Sequence, residues 1–143
     1  MYMKNILHKL FSITTLRLLM GFIFLWAFLD KTFGLGFATS PEKSWLSGGS
    51  PTTGFLGNAV KGPLADFFHS LAGNVMVDYL FMFGLLFIGL TLLSNKFVKW
   101  GGLAGIVMMM LMYFALLLPE NNPFVDEHLV YAVLLGVIAF RRD

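Results

Sequence analysis

The stretch VMVDYLFMFGLLFIGLTLL at positions 75–93 decides how the rest of the chain is read, because between Asp78 and Lys96 it holds no charged side chain. A helix rises about 1.5 Å per residue, so about 20 apolar residues cross a hydrocarbon core of about 30 Å. This stretch has that length. Three others join it. Positions 14–33 carry an apolar run at 18–29, and positions 100–118 are uncharged throughout. The last candidate, 124–140, is short, since its strictly apolar part at 129–140 reaches only about 18 Å if helical. The first has a similar shortage, because only 12 residues separate Arg17 from Asp30. Both helices therefore bring ionisable groups to the edge of the hydrocarbon or end in a polar cavity.

Composition agrees with a membrane chain. Of 143 residues, 57% are hydrophobic and 13% charged, with a mean hydropathy of +0.77. Ordinary globular domains are about a quarter charged. Disorder, a collagen-like fibre, a disulfide-stapled mini-domain and a basic nucleic-acid binder are excluded on these grounds. The absence of Cys removes disulfides and thiolate metal sites. The expected fold class is all-α, an integral membrane four-helix bundle forming one domain over positions 1–143. A cleaved signal peptide fits poorly, because Arg17 interrupts the approach to the apolar run and Asp30-Lys31 stand where small residues are needed.

Charge orients the four expected spans. One side collects Lys4, Lys9, Arg17, Lys96, Lys99, Arg141 and Arg142 against Asp143. The other holds Lys31, Lys43 and Lys61 against Asp30, Glu42, Asp66, Asp78, Glu120, Asp126 and Glu127. Lys and Arg near span ends favour the cytoplasmic side, so both termini are expected there. The 40 residues 34–73, with eight Gly and three Pro, then form an outer loop rich in turn chemistry. Within it GPLADFFHSL, positions 62–71, places Pro at a first helical position and Leu64, Phe67, Phe68 and Leu71 at helical spacing. It reads as a short interfacial helix, and the loop as a cap packed over the bundle.

Ionisable groups inside membrane segments are functional candidates by default. Arg17, Gly21, Phe24, Phe28 and Lys31 share one face at about 100° per residue, with Asp30 pointing elsewhere. Arg17 either holds an anion or carboxylate inside the bundle or snorkels to headgroups. Asp30 and Lys31 either end the span or form part of a small-anion site under the cap. Asp78, near the start of its helix, is explained by the helix dipole or by pairing with Lys31. In PENNPFVDEHLVY, positions 119–131, Asp126 and Glu127 suit a helix N-terminus, while His128 and Tyr131 lie three apart and share a face. A histidine beside a phenol is a reasonable proton donor to a quinone oxygen; a capping histidine bonded to a loop carbonyl is the alternative. His8, His69 and His128 make no haem pattern, and no flavin or metal motif is evident. The loop SGGSPTTG offers amides to an anion, and GGLAG at 101–105 is a small-residue motif for close helix contact, within the chain or between copies.

Three stretches in order, LRLLMGFIFLWAFLDKTFGLGFA (16–38), SWLSGGSPTTGFL (44–56) followed by GPLADFF (62–68), and NNPFVDEHLVY (121–131), resemble the DoxX/DoxD family of small four-helix membrane proteins. The resemblance implies a subunit of a thiosulfate:quinone oxidoreductase, or of another membrane redox complex handling oxidative or thiol stress. It carries over Arg17, Asp30, Lys31, Trp45, Asp126 and His128. On that reading His128, Tyr131, Asp126, Lys31 and Asp30 are the catalytic candidates, and Arg17, Trp45, Lys31 and Asp78 the substrate-binding ones. A small sulfur anion would approach Lys31 and the Gly-rich loop, with Lys43 or Lys61 assisting. A quinone would enter near His128 and Tyr131, with electrons passing directly or through a partner subunit. A non-enzymatic membrane module that binds a lipid, a quinone or a partner protein is the alternative. A transporter fits least, since no inverted repeat is visible.

Overall fold

The computed structural model describes residues 2–141, without the side chains at positions 2, 4, 5 and 9. Lys4, Lys9, Arg142 and Asp143, which enter the charge tally, therefore lie wholly or in their side chains outside the described residues. The described chain is helical, with no strand. A short α1 (Tyr2–Leu10) precedes α2 (Ile13–Phe33); α3 (Ala65–His69) sits in the long loop; α4 (Val75–Ser94), α5 (Val98–Ala115) and α6 (Glu127–Phe140) follow. Three of these, α2, α4 and α5, are long and apolar enough to cross a membrane. At 14 residues α6 is shorter, about 21 Å at the helical rise.

Local chemistry sets the boundaries. Ser12 caps α2 by accepting from the Thr15 amide at 3.2 Å, and Gly34, at φ 65°, ends it. Asn74 caps α4 through bonds from the Met76 and Val77 amides at 2.9 and 3.4 Å. Asp126 does the same for α6, accepting from Leu129 N at 3.0 Å. Such caps contribute about 1 kcal/mol each. The third expected span is shifted: α5 runs from Val98 to Ala115 rather than over 100–118, because the turn at 95–97 needs only two left-handed residues, Asn95 and Phe97. The fourth begins at Glu127 rather than 124, since Asn122 and Pro123 shape a turn instead of a helix.

Neighbouring long helices run antiparallel. Arg17, Gly21 and Leu25 of α2 meet Leu92, Leu93 and Gly89 of α4. Gly101 and Gly105 of α5 meet Thr91 and Ile88 of α4, and Gly102 and Gly105 meet Ala139 and Leu135 of α6. Small residues let backbones approach where dispersion rather than water-driven burial holds helices together. A Cβ on Gly89 would stand 2.8 Å from Leu25 N. The glycine motif at 101–105 thus serves contacts within the chain, and Gly101 and Gly105 are buried rather than offered to a second copy. Met82, Ile88, Leu92 and Leu135 are fully buried at the centre, with Met20, Phe24 and Met109 around them. Outside, Leu19, Phe22, Leu80, Phe83, Leu90 and Val133 are exposed. That much apolar surface suits lipid rather than water.

The long loop is a cap, as its aromatic content predicts. Leu56, Val60 and Phe68 form a second small core against Ala115 at the end of α5, with Val77 of α4 packed beside them. The helix expected at 62–71 shortens to Ala65–His69. Gly62, at φ 90°, lies so close to the Leu117 carbonyl that a side chain there would collide with it. At the other end of the chain α1 shows Met3, Ile6, Leu7 and Leu10 exposed at helical spacing, an amphipathic helix that the charge reading of the N-terminus did not anticipate.

Candidate functional site

The cap end gathers most of the ionisable residues singled out by sequence, but it does not bring them into one site. Asp30 is only 2% exposed, and its two carboxylate oxygens accept from the amides of Phe37 and Ala38 at 3.2 and 2.9 Å. It closes the turn after α2. Asp78, 6% exposed, accepts at Oδ1 from Ser50 Oγ at 2.9 Å and from the amide and hydroxyl of Thr52 at 3.3 and 2.5 Å. Of the two alternatives for Asp78, no ion pair with Lys31 forms among the described residues, and the loop donors converge on Oδ1. Both acids fasten the cap through these bonds.

Lys31 is half-buried on α2, with its Nζ 6.0 Å from the centre of the Phe81 ring of α4. A cation over an aromatic face is held by the ring quadrupole. Among the described residues it makes no salt bridge, and the neighbouring Asp30 carboxylate is the opposite charge that acts on it. Trp45 packs edge-on against Tyr79 at 5.2 Å and helps seat the loop on α4. Lys43 is exposed on a turn, and Lys61 is held by Glu120 at 2.8 Å, an exposed ion pair. The hydrogen bond between them raises the Lys61 pKa and lowers that of Glu120. Arg17 belongs elsewhere. Lys31 lies fourteen positions further along α2, about 21 Å along the axis, so the two cannot share one small substrate. Its guanidinium Nη1 donates to the Leu92 carbonyl.

The most developed polar arrangement is at the start of α6. His128 is 8% exposed, and its Nδ1 lies 2.7 Å from Asp126 Oδ2. Asp126 is fixed by its other oxygen, which accepts the Leu129 amide. A hydrogen on Nδ1, held toward the carboxylate, leaves Nε2 as the ring atom that can take or give a proton. The Phe55 ring of the cap stands 6.3 Å from the imidazole. The alternative of a histidine bonded to a loop carbonyl is replaced by this carboxylate pairing.

Asp126 and His128 line a cleft of about 440 Å³ with Asn58, Lys61, Leu118 and Glu120. Its size falls among small-ligand sites, which run about 300–1,000 Å³. Tyr131 is not in its wall. It packs against the main core instead, and no hydrogen bond joins it to His128, so the expected His–Tyr partnership does not form. Sequence reasoning missed Asn122. Its side chain accepts from the Phe124 and Val125 amides at 3.0 and 2.6 Å and donates to the Val125 carbonyl, setting the turn that delivers Asp126. Tyr113 adds a bond to the Phe124 carbonyl at 2.6 Å. The Asn-Pro pair was the available signal, since Asn side chains commonly bond backbone two or three residues on. Among the described residues no group of three His, Asp or Glu side chains is placed to hold a metal ion.

A scan of family models matches no family to this chain, and searches of the curated proteins and of the solved structures return no match.

Proposed function

We propose that this chain is a four-span integral membrane protein with both termini in the cytoplasm, and that its His128–Asp126 pair exchanges protons with a quinone headgroup in the adjoining cleft. The observation that carries the reading is the buried imidazole held 2.7 Å from a carboxylate at the wall of a cleft of about 440 Å³. Converting a quinone to a quinol takes two electrons and two protons. His128 would pass on both protons in turn through Nε2, reprotonated from water in the cleft between the two transfers, with Asp126 stabilising the ring in either protonation state; the two electrons would come from two thiosulfate ions, attracted by Lys31, that join through a new S–S bond. The resemblance to DoxX/DoxD proteins supports this assignment to a subunit of the thiosulfate:quinone oxidoreductase type. Crossing by α6 is supported by its packing against α5 and by exposed Val130 and Val133, and on this reading the polar turn at 119–126 lies at the outer surface.

The test is quinone reduction by thiosulfate with the purified protein and any partner subunit that copurifies. General acid catalysis is worth about 10²-fold or more, so His128→Gln should lower the rate by at least that factor while Lys96→Ala, at an exposed residue of the opposite end, leaves it unchanged. Equal rates in both variants would remove His128 from the reaction. A second reading, a membrane module that holds a lipid or quinone without turnover, is favoured by the two buried carboxylates that serve the cap rather than a ligand. A quinone retained through purification, lost in His128→Gln, with no thiosulfate-dependent reduction would select it.

A further inference from the structure

The opposite end of the molecule holds a second cavity, of about 730 Å³, at the base of α2, α5 and α6. Its charged wall residues are Arg17, Lys99 and Arg141, and no Asp or Glu lines it among the described residues. Three cations facing one space without a carboxylate repel each other unless an anion joins them. Trp100 and Phe97 stand at its rim, both exposed, and Ile13, Val98 and Ile138 supply apolar wall. Aromatic residues of this kind sit at headgroup level in membrane proteins.

The cations differ in what they offer. Arg17 gives one N–H to the Leu92 carbonyl, which fixes the guanidinium and leaves its other donors for a partner. Guanidinium groups recognise phosphate through parallel N–H bonds. Lys99 keeps its Nζ 5.8 Å from the Phe140 ring, close to the cavity and without an ion pair among the described residues. Arg141 directly follows α6 and is exposed. Neither exposed cation is tied up in a salt bridge among the described residues.

We infer that this cavity binds a phosphate-type oxyanion, carried either by the headgroup of an anionic phospholipid or by a free ion. Arg17 is the fixed donor, Lys99 and Arg141 close over the anion, and the apolar wall takes the upper acyl chain when the source is a lipid. This rests on the membrane-spanning reading of α2 and α5 but not on the His128–Asp126 pair, some 20 Å away by the length of α6. Loss of quinone reduction in His128→Gln therefore leaves it untouched.

The full chain in detergent, mixed with equal amounts of phosphatidylglycerol and phosphatidylcholine of the same acyl chains, tests the lipid source by native mass spectrometry. Wild type should retain phosphatidylglycerol preferentially, and each of Lys99→Gln and Arg141→Gln should cut that preference about fivefold. Phosphorus NMR of inorganic phosphate with the lipid-free protein tests the other source, through broadening that the double variant abolishes. Either signal, sensitive to the two substitutions, supports the site and names its source. Equal retention of the two lipids together with no broadening of phosphate overturns it, as does any preference that the double variant leaves intact.

Discussion

The two ends of this molecule treat buried polar groups in opposite ways. At the cap end Asp30 and Asp78 sit nearly out of solvent, and each carboxylate is matched by donors from the loop folded over it. At the other end Arg17 gives one bond to a carbonyl while Lys99 and Arg141 face a shared cavity. A buried charge whose hydrogen bonds are supplied by its own chain stabilises the fold, whereas charges left facing a cavity are available to something outside it. Ionisable residues in membrane segments thus divide by what they touch, and rarity in the sequence does not sort them.

That division is broken most directly at Asp78. Asp78→Ala leaves the Thr52 amide and hydroxyl and the Ser50 hydroxyl without their acceptor, and should lower stability by about 3 kcal/mol, since each unmatched buried donor costs about 1–3 kcal/mol. Thermal unfolding in detergent measures it; a loss under about 1 kcal/mol would show that the carboxylate does not fasten the cap. Gly89→Val pushes a side chain onto the Leu25 backbone and should cost about 1–3 kcal/mol on the same scale, with separation of α2 from α4 visible by cross-linking. Asp126→Ala removes the cap of α6 and should cost about 1 kcal/mol, less in Asp126→Asn, which keeps an acceptor.

The cavity end should behave otherwise. In lipid-free detergent Lys99→Gln and Arg141→Gln should change stability by no more than about 0.5 kcal/mol, the usual range for exposed sites. A large loss would mean that these cations hold the fold, and the contrast between the ends would fail. The smallest effect belongs to Lys61 and Glu120. Their pairing raises the lysine pKa above 10.5 and lowers the glutamate pKa below 4.5, so any stabilisation is complete between those values, fading as pH rises past the first or falls past the second. Both side chains are exposed, and Glu120→Gln should leave the unfolding temperature unchanged from about pH 6 to pH 9.

Hydropathy located the long helices well, because one dimension of apolar length suffices for it. Positions 14–33 and 75–93 became Ile13–Phe33 and Val75–Ser94. The later spans were less legible. Uncharged Leu116, Leu117 and Leu118 extend the apolar run beyond α5, and hydropathy does not register where the backbone turns. The shared face of Arg17, Gly21, Phe24 and Lys31 was readable from periodicity and does meet α4. Partners distant in sequence were not readable. Nothing in the stretch around Asp78 points to Ser50 and Thr52, which lie 28 and 26 residues earlier. His128 and Tyr131 show the converse limit. Their three-residue spacing predicted a shared face, but Tyr131 packs against the main core while His128 meets Phe55 of the cap.

The cap has a mechanical side. One of its attachments is to α2, through Asp30, and another to α4, through Asp78, with the loop running between them like a strap across two posts. A shear of α2 along α4 would have to break the loop's bonds to one carboxylate or the other as well as lift Gly89 off the Leu25 backbone. The pair is therefore braced against sliding at two levels, the cap and the Gly89–Leu25 contact.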